Sequence, residues 1–225
     1  MPDVFIHSLQ LFGIACLSRN RVLVEASLNP DASYPDTSVA IVMAAASAEG
    51  FINELRDHAH PINYGEEFPD LIALNKVLGE IEQSKGTTLL KYLAASFILP
   101  GGMLDRGRNP FQDLDLLFKI RNQHMHLPIA APEGAGDGSR VVPKIALIFQ
   151  NRGLARRNGV NLTWMSIIQT AAMAEWACQT AAKSMIDILD RIRDHHLLTL
   201  EPRAVLESLL EPPAAQEESQ INPGS

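Results

Sequence analysis

Two alanine-rich stretches at helical spacing constrain this chain most. In the first, Asp36 to about Asp57, residues Val39, Val42, Met43, Ala46, Phe51 and Leu55 recur near the helical period, and the middle is almost all alanine. The second lies in the longest periodic run, Leu162 to about Asp194. There Trp164, Ile168, Ala171, Met185, Leu189 and Ile192 share one stripe, and Ala171, Ala172, Ala174, Ala177, Ala181 and Ala182 add a small-residue surface. Small side chains let another helix approach closely, so the pattern predicts helices packed on helices.

The rest of the chain reads the same way. Val4 to Leu28 is apolar and ambiguous between helix and strand. Asp36 is placed to cap the first alanine-rich helix. His60-Pro61 ends it, and Asn63-Tyr64-Gly65 is a turn. A helix from about Phe68 to Ser84 follows, then one opened by Thr87 or Thr88 and stopped at Leu99-Pro100-Gly101-Gly102. Asn109-Pro110 opens the next, with proline in the first turn, and Pro128 closes it. Residues 130 to 140 read as an exposed loop. Val141 to Phe149 is the best strand candidate, a short β insertion. A short helix near Arg203 to Leu210 comes last. The sequence therefore predicts one all-α domain, residues 1–210, of five or six helices with an insertion at about 130–160. Residues 211–225 are an acidic tail expected to be disordered.

Composition narrows the function classes. The 225 residues hold 19 Lys and Arg against 26 Asp and Glu, a formal charge of −7. An acidic whole does not advertise nucleic-acid binding, so such a role needs a local basic surface. Two cysteines, Cys16 and Cys178, are too few for a disulfide framework or a cysteine-built zinc site, and they fit a reducing cytoplasm. Val4 to Leu17 lacks the basic start of a signal peptide, and Gly13-Ile14-Ala15-Cys16 has no basic residue before it to make a lipoprotein cleavage site. Val39 to Ala48 is shorter than a membrane span. The expectation is a cytoplasmic protein with no membrane partner.

One segment stands apart. Leu114 to Pro128 is an apolar helix that ends by presenting Arg121-Asn122-Gln123-His124-Met125-His126. Arg121, Asn122 and His126 resemble the signature of the HEPN superfamily: an arginine, four to six intervening residues of which the first is often asparagine, and a histidine. Ala48-Glu49-Gly50-Phe51-Ile52-Asn53-Glu54-Leu55 looks like the first core helix of such proteins, where a polar side chain faces the site. Lys91-Tyr92-Leu93, then Asp105-Arg106-Gly107, follow in the order the family shows. The resemblance covers about Asp36 to Ile192 and implies a HEPN-like helical bundle.

Many HEPN proteins resemble metal-independent endoribonucleases, toxins or stress and phage-defence proteins, so the resemblance implies RNA as substrate, a homodimer built around these helices, an antitoxin protein as partner, and no cofactor or metal. The residue types suit that chemistry. Histidine takes or gives a proton near neutrality. Arginine stays charged and offers a fork of donors to phosphate. The resemblance makes Arg121 and His126 catalytic and Asn122 a positioner, with Glu49 and Asn53 in support.

On an ideal helix, however, Arg121 and His126 point about 140° apart, whereas Arg121 and His124 are same-face neighbours. His124 therefore stands as an adjacent candidate. Arg140, Lys144, Arg152, Arg156 and Arg157 fall in a window with no acidic residue. They are either an RNA-binding groove or a solvated loop. Glu49 and Asn53 are either a polar patch at the site or the solvated side of their helix. The second function class is a non-catalytic helical bundle that binds a nucleotide, an RNA or a protein partner.

Overall fold

The computed structural model describes residues 5–60, 68–125, 144–157, 163–192 and 200–211. Its first element is a helix, α1 (Ile6–Leu28). Val22, Leu23 and Val24 favour strand locally, but burial decides. Ser8, Phe12, Ala15, Arg19 and Val22 are all buried, at alternating spacings of four and three residues, which is one face of a helix. After a loop comes α2 (Asp36–His58). Asp36 is its first residue rather than its cap. Pro35 holds the cap position, and no side chain caps the end. The carboxylate still sits in the first turn, where the helix dipole favours it.

Three helices follow close to expectation: α3 (Pro69–Gln83), α4 (Thr88–Ile98) and α5 (Phe111–Met125). The Thr87 hydroxyl caps α4 by accepting from the Leu90 N–H at 3.2 Å. Pro110 lies just before α5 rather than inside its first turn, and its carbonyl accepts from Leu114 at 3.0 Å.

The expected β insertion is not a strand where it is described: Lys144–Asn151 is a helix, α6. Ala146 and Phe149, three apart, are its buried positions, and Phe149 packs edge-on to Trp176 with ring centroids 4.8 Å apart. A lone strand here has no described partner for its backbone groups, whereas a helix satisfies them internally. The long run from Leu162 is also not continuous. It divides into α7 (Trp164–Ile168) and α8 (Ala171–Arg191). Thr163 and Thr170 each cap the helix after them. At the break, the carbonyls of Gln169 and Thr170 accept from the Tyr34 N–H (3.2 Å) and the Thr37 hydroxyl (3.1 Å). The last helix is α9 (Leu200–Leu210).

Among the described residues there are thus nine helices and no strand. The turn at 63–65, His126, Pro128, the loop at 130–140, residues 141–143 and the tail from 212 lie outside the described residues.

Helix α2 is the hub, packing on α1, α3, α4, α5 and α8. It is also long and apolar enough by length and composition to cross a membrane, and half of that stretch is buried against the other helices. Ala40, Ala44, Ala45 and Ala48 of α2 and Ala174, Ala177, Ala181 and Ala182 of α8 are fully buried. Helix α9 lies on α1 and α8, and one side chain fixes its end. Arg19 is 2% exposed, and it forms no ion pair among the described residues. It donates to the carbonyls of Leu209, Leu210 and Glu211, each at 3.1 Å, and to the Asn20 side chain. These are the orphan acceptors at a helix C-terminus, where the dipole favours a cation.

Arg19→Ala is expected to cost about 2–4 kcal/mol in urea unfolding, since it strands buried acceptors as well as removing charge-assisted bonds. Arg19→Met, which keeps the packing of the stem, should recover only part. Limited proteolysis should release α9 first in both variants. Unchanged stability in Arg19→Ala would show that the C-terminal helix does not depend on this clamp.

Candidate functional site

Glu49, Asn53 and Arg56 recur at four and three residues along α2, so they share the face that its apolar residues leave. Helix α4 lies against that face in a register set by a buried bond: the Tyr92 hydroxyl donates to the Ala48 carbonyl at 2.8 Å. Burial alone pushes the Tyr92 phenol well above its ordinary value, so it remains a donor. With Tyr92 beside Ala48, the neighbouring polar groups meet in pairs. Thr88 donates to Glu49 Oε1 at 3.0 Å, and the Lys91 ammonium donates to Asn53 Oδ1 at 2.7 Å. Lys91 is 7% exposed, and it also reaches Glu82 of α3 at 3.1 Å. Glu82 in turn pairs with Arg56. The hydrogen bond from Lys91, then that from Arg56, holds the Glu82 carboxyl below the usual carboxylate range.

Helix α5 completes the strip. Arg121 Nη2 donates to Glu49 Oε2 at 2.9 Å, with the guanidinium 5.7 Å from the Phe118 ring centre. Glu49 is thus occupied on both oxygens, while the Arg121 Nε is buried without a hydrogen-bond partner among the described residues. His124 lies one turn on. Its Nδ1 is 2.9 Å from the Ile120 carbonyl. A carbonyl only accepts, so Nδ1 carries the hydrogen and the neutral ring keeps its lone pair on Nε2. That Nε2 is also buried without a partner among the described residues. The ring meets Trp164 edge-on at 5.5 Å. Burial pushes the imidazole below its ordinary value, and the Ile120 carbonyl opposes this more weakly.

The structure therefore brings Arg121, Glu49 and His124 to one region of α2 and α5, with Asn53 on the adjoining Lys91. Asn122 is exposed on α5, and His126 is outside the described residues. The basic stretch is dispersed. Arg140 is not described, and Lys144 and Arg157 are exposed. Arg156 lies over the Tyr34 ring at 6.0 Å. Arg152 pairs with Asp113 at 2.5 Å, near the start of α5 and about 12 Å along the axis from Arg121. A cavity of about 410 Å³, lined by Asp113, Trp176, Lys183 and Asp187 among others, opens at that same far end. Among the described residues no group of three or more His, Cys, Asp or Glu side chains is placed to hold a metal ion.

Sequence reading missed Thr88, Glu82 and Arg56 as parts of the strip and saw Lys91 only as a landmark. A signal was present: Lys91 is the lone charge in Thr88–Ile98. Compared with models of known protein families, with curated proteins and with solved structures, the chain matches none.

The His124 ring is expected to titrate below the ordinary histidine value in an NMR experiment, with the hydrogen on Nδ1 in the neutral form. Burial depresses His58 in the same direction. For both rings the folded value lies below the unfolded one, so the unfolded chain takes up protons first as pH falls. Their contribution is present above the unfolded value and is lost as pH drops through the folded values. Urea midpoints should therefore decline between about pH 7 and pH 5, and a His58→Gln, His124→Gln double variant should flatten that decline. A slope unchanged in the double variant would contradict the assignment.

Proposed function

We propose that the chain is a metal-independent endoribonuclease of HEPN type, working as a homodimer on RNA in a toxin or stress and phage-defence setting. The observation that carries this reading is the placement on one face of α5 of Arg121 and His124, each with a ring or guanidinium nitrogen that is buried without a partner among the described residues. A cation and a neutral imidazole with an available lone pair are the two groups that RNA cleavage without a metal requires.

The chemistry follows from those groups. An imidazole Nε2 takes the proton from the ribose 2′-hydroxyl. The 2′-oxygen attacks phosphorus, the P–O5′ bond breaks, and the leaving 5′-oxygen takes a proton from solvent water, while the imidazolium returns its proton to solvent. One fragment then ends in a 2′,3′-cyclic phosphate and the other begins with a 5′-hydroxyl. The Arg121 guanidinium, held on one side by Glu49, turns its free Nε to the phosphate oxygens whose charge grows in the transition state. Glu49 and Thr88 are positioning residues for that arginine. His126 is the catalytic histidine by family resemblance, and His124 by position and proton state. DNA lacks the attacking hydroxyl and should be inert.

A second reading has its own support. Arg121 is already ion-paired with Glu49, an arrangement equally suited to a non-catalytic bundle that binds a nucleotide, RNA or protein partner.

One experiment separates the two. Purified protein is incubated with total RNA in excess chelator. The enzyme reading expects cyclic-phosphate ends, a loss of about 100-fold or more in Arg121→Ala, and a comparable loss in either His124→Ala or His126→Ala. Breakdown that never appears, or that persists undiminished in Arg121→Ala, removes it. Unlabelled RNA retained by wild type but not by Arg121→Ala, without cleavage, selects the binding module instead.

A further inference from the structure

Helix α1 carries two stripes. Ser8, Phe12, Ala15, Arg19 and Val22 form the buried one, and the helix packs on α2, α8 and α9. On the opposite side Gln10, Ile14, Leu17, Arg21, Val24 and Leu28 are all exposed. These recur at alternating spacings of four and three residues, the heptad spacing of a helix–helix seam. The outward face of a helix at the edge of a bundle is ordinarily polar. Here Ile14 is 45% exposed, Leu17 and Val24 are 53% each, and Leu28 is 82%. Single exposed aliphatic side chains are common on any surface, but four in one line over about 21 Å mark an interaction face. Gly13 lies between Gln10 and Leu17 on the helix surface, and no atom stands within 4 Å of the place its β-carbon would take. Another backbone can approach closely there.

The chemistry of the stripe indicates what it fits. A helix that lies on a lipid surface is rich in Lys and Arg along its polar side. Helix α1 holds no lysine, and its arginines are the buried Arg19 and Arg21. A second copy of the same stripe fits it in one orientation. In a parallel pair the two Arg21 side chains meet at one level, like charge against like. In an antiparallel pair with the two-fold axis between Ile14 and Leu17, Ile14 meets Leu17 of the partner subunit. Arg21 then comes level with Gln10 of the partner subunit, whose amide oxygen accepts from a guanidinium. The two Arg21 positions stand about 16 Å apart along the axis. Arg21 also reaches Asp36 of its own chain at 3.9 Å, which keeps its charge at the edge of the seam while its stem covers apolar surface.

We propose that the outer face of α1 is a homodimer interface, in which two α1 helices pack antiparallel around Ile14 and Leu17. This face belongs to a different helix from Arg121 and His124, and the inference does not rest on the activity proposed above. Two helices in contact over about 30 Å form an interface at the small end of the range for stable pairs, so the dimer is expected to dissociate in the micromolar range.

The test is the mass of the full-length chain, by sedimentation and light scattering, over roughly 1–100 µM, the range that an interface of this size calls for. Leu17→Glu sets two carboxylates beside the two-fold axis and is expected to weaken association at least about 30-fold. At the top of the range its mass should be half that of the wild type. Leu17 is already half exposed, so an unchanged circular dichroism spectrum should accompany the loss. Gln10→Glu is specific to the antiparallel register, since it gives Arg21 of the partner subunit a carboxylate, and it should tighten the dimer several-fold. It also keeps the test intact should Leu17→Glu misfold. The proposal falls if the wild type stays a single chain throughout the range. It falls equally if folded Leu17→Glu keeps the wild-type mass, a result that leaves any pairing through α5 untouched, or if Gln10→Glu associates no more tightly than the wild type. Sedimentation of the wild type, but not of Leu17→Glu, with phosphatidylcholine–phosphatidylserine vesicles would assign the stripe to lipid and overturn it too.

Discussion

The close approach of α2 to its neighbours governs where every polar group on it can go. Alanine fills the buried positions of α2 and α8, and Ser47 of α2 reaches the Met185 sulfur of α8 at 3.8 Å. A helix packed on five others has little free surface. Glu54 meets Ser8 of α1, while Glu49, Asn53 and Arg56 share one narrow strip. Any partner for them must then come from α3, α4 or α5, and each supplies one: Glu82, Lys91 with Thr88, and Arg121. Enlarging an alanine in these contacts would separate the helices, and overpacking of this kind typically costs 1–3 kcal/mol. It would also move the strip's partners out of reach.

The fold class and most helix positions were legible because apolar periodicity is written over many residues at once. The failures are local and have causes. Lys144 to Phe149 is an aliphatic run that suits strand or helix equally, and only the three-residue spacing of Ala146 and Phe149 against Trp176 decides it. The break before α8 rests on Thr170. Its capping role was visible in principle, but the carbonyls it frees are used by Tyr34 and Thr37, far away in sequence. Asp36 looked like a cap because of its type, and helix bounds shift by a residue according to the backbone before them. Arg19 carried no signal at all, since its partners are backbone carbonyls nearly two hundred residues on.

The candidate site shows the same division. Arg121 and His124 could be singled out because a run of polar residues ends an apolar helix, and Glu49 because a carboxylate interrupts an alanine-rich one. Neither fact predicts that the two meet. The meeting depends on α5 packing directly on α2, a contact between helices far apart in sequence that no motif encodes. The basic window at 140–157 illustrates a different limit. A charge run records what is present, not what it pairs with, and Asp113 and Tyr34 engage Arg152 and Arg156 from elsewhere in the chain.

Two arginines in this molecule, Arg19 buried and Arg121 a quarter exposed, are held in contrasting ways. Arg19 uses Nε, Nη1 and Nη2, all of them on carbonyl or amide oxygens. A guanidinium saturated in this way has nothing to offer a ligand and serves only to hold α9. Arg121 makes one hydrogen bond, through Nη2, lies over the Phe118 ring, and leaves a buried Nε without a partner among the described residues. Burying an unpaired donor is costly, and Arg156 Nη2 and Trp176 Nε1 carry the same cost among the described residues. Glu49 takes only one edge of the guanidinium and leaves the Nε edge to the protein interior. His124 shows the same division: its Nδ1 is anchored to Ile120, while its Nε2 is buried without a partner among the described residues. Each side chain is fixed at one atom and, among the described residues, unsatisfied at another.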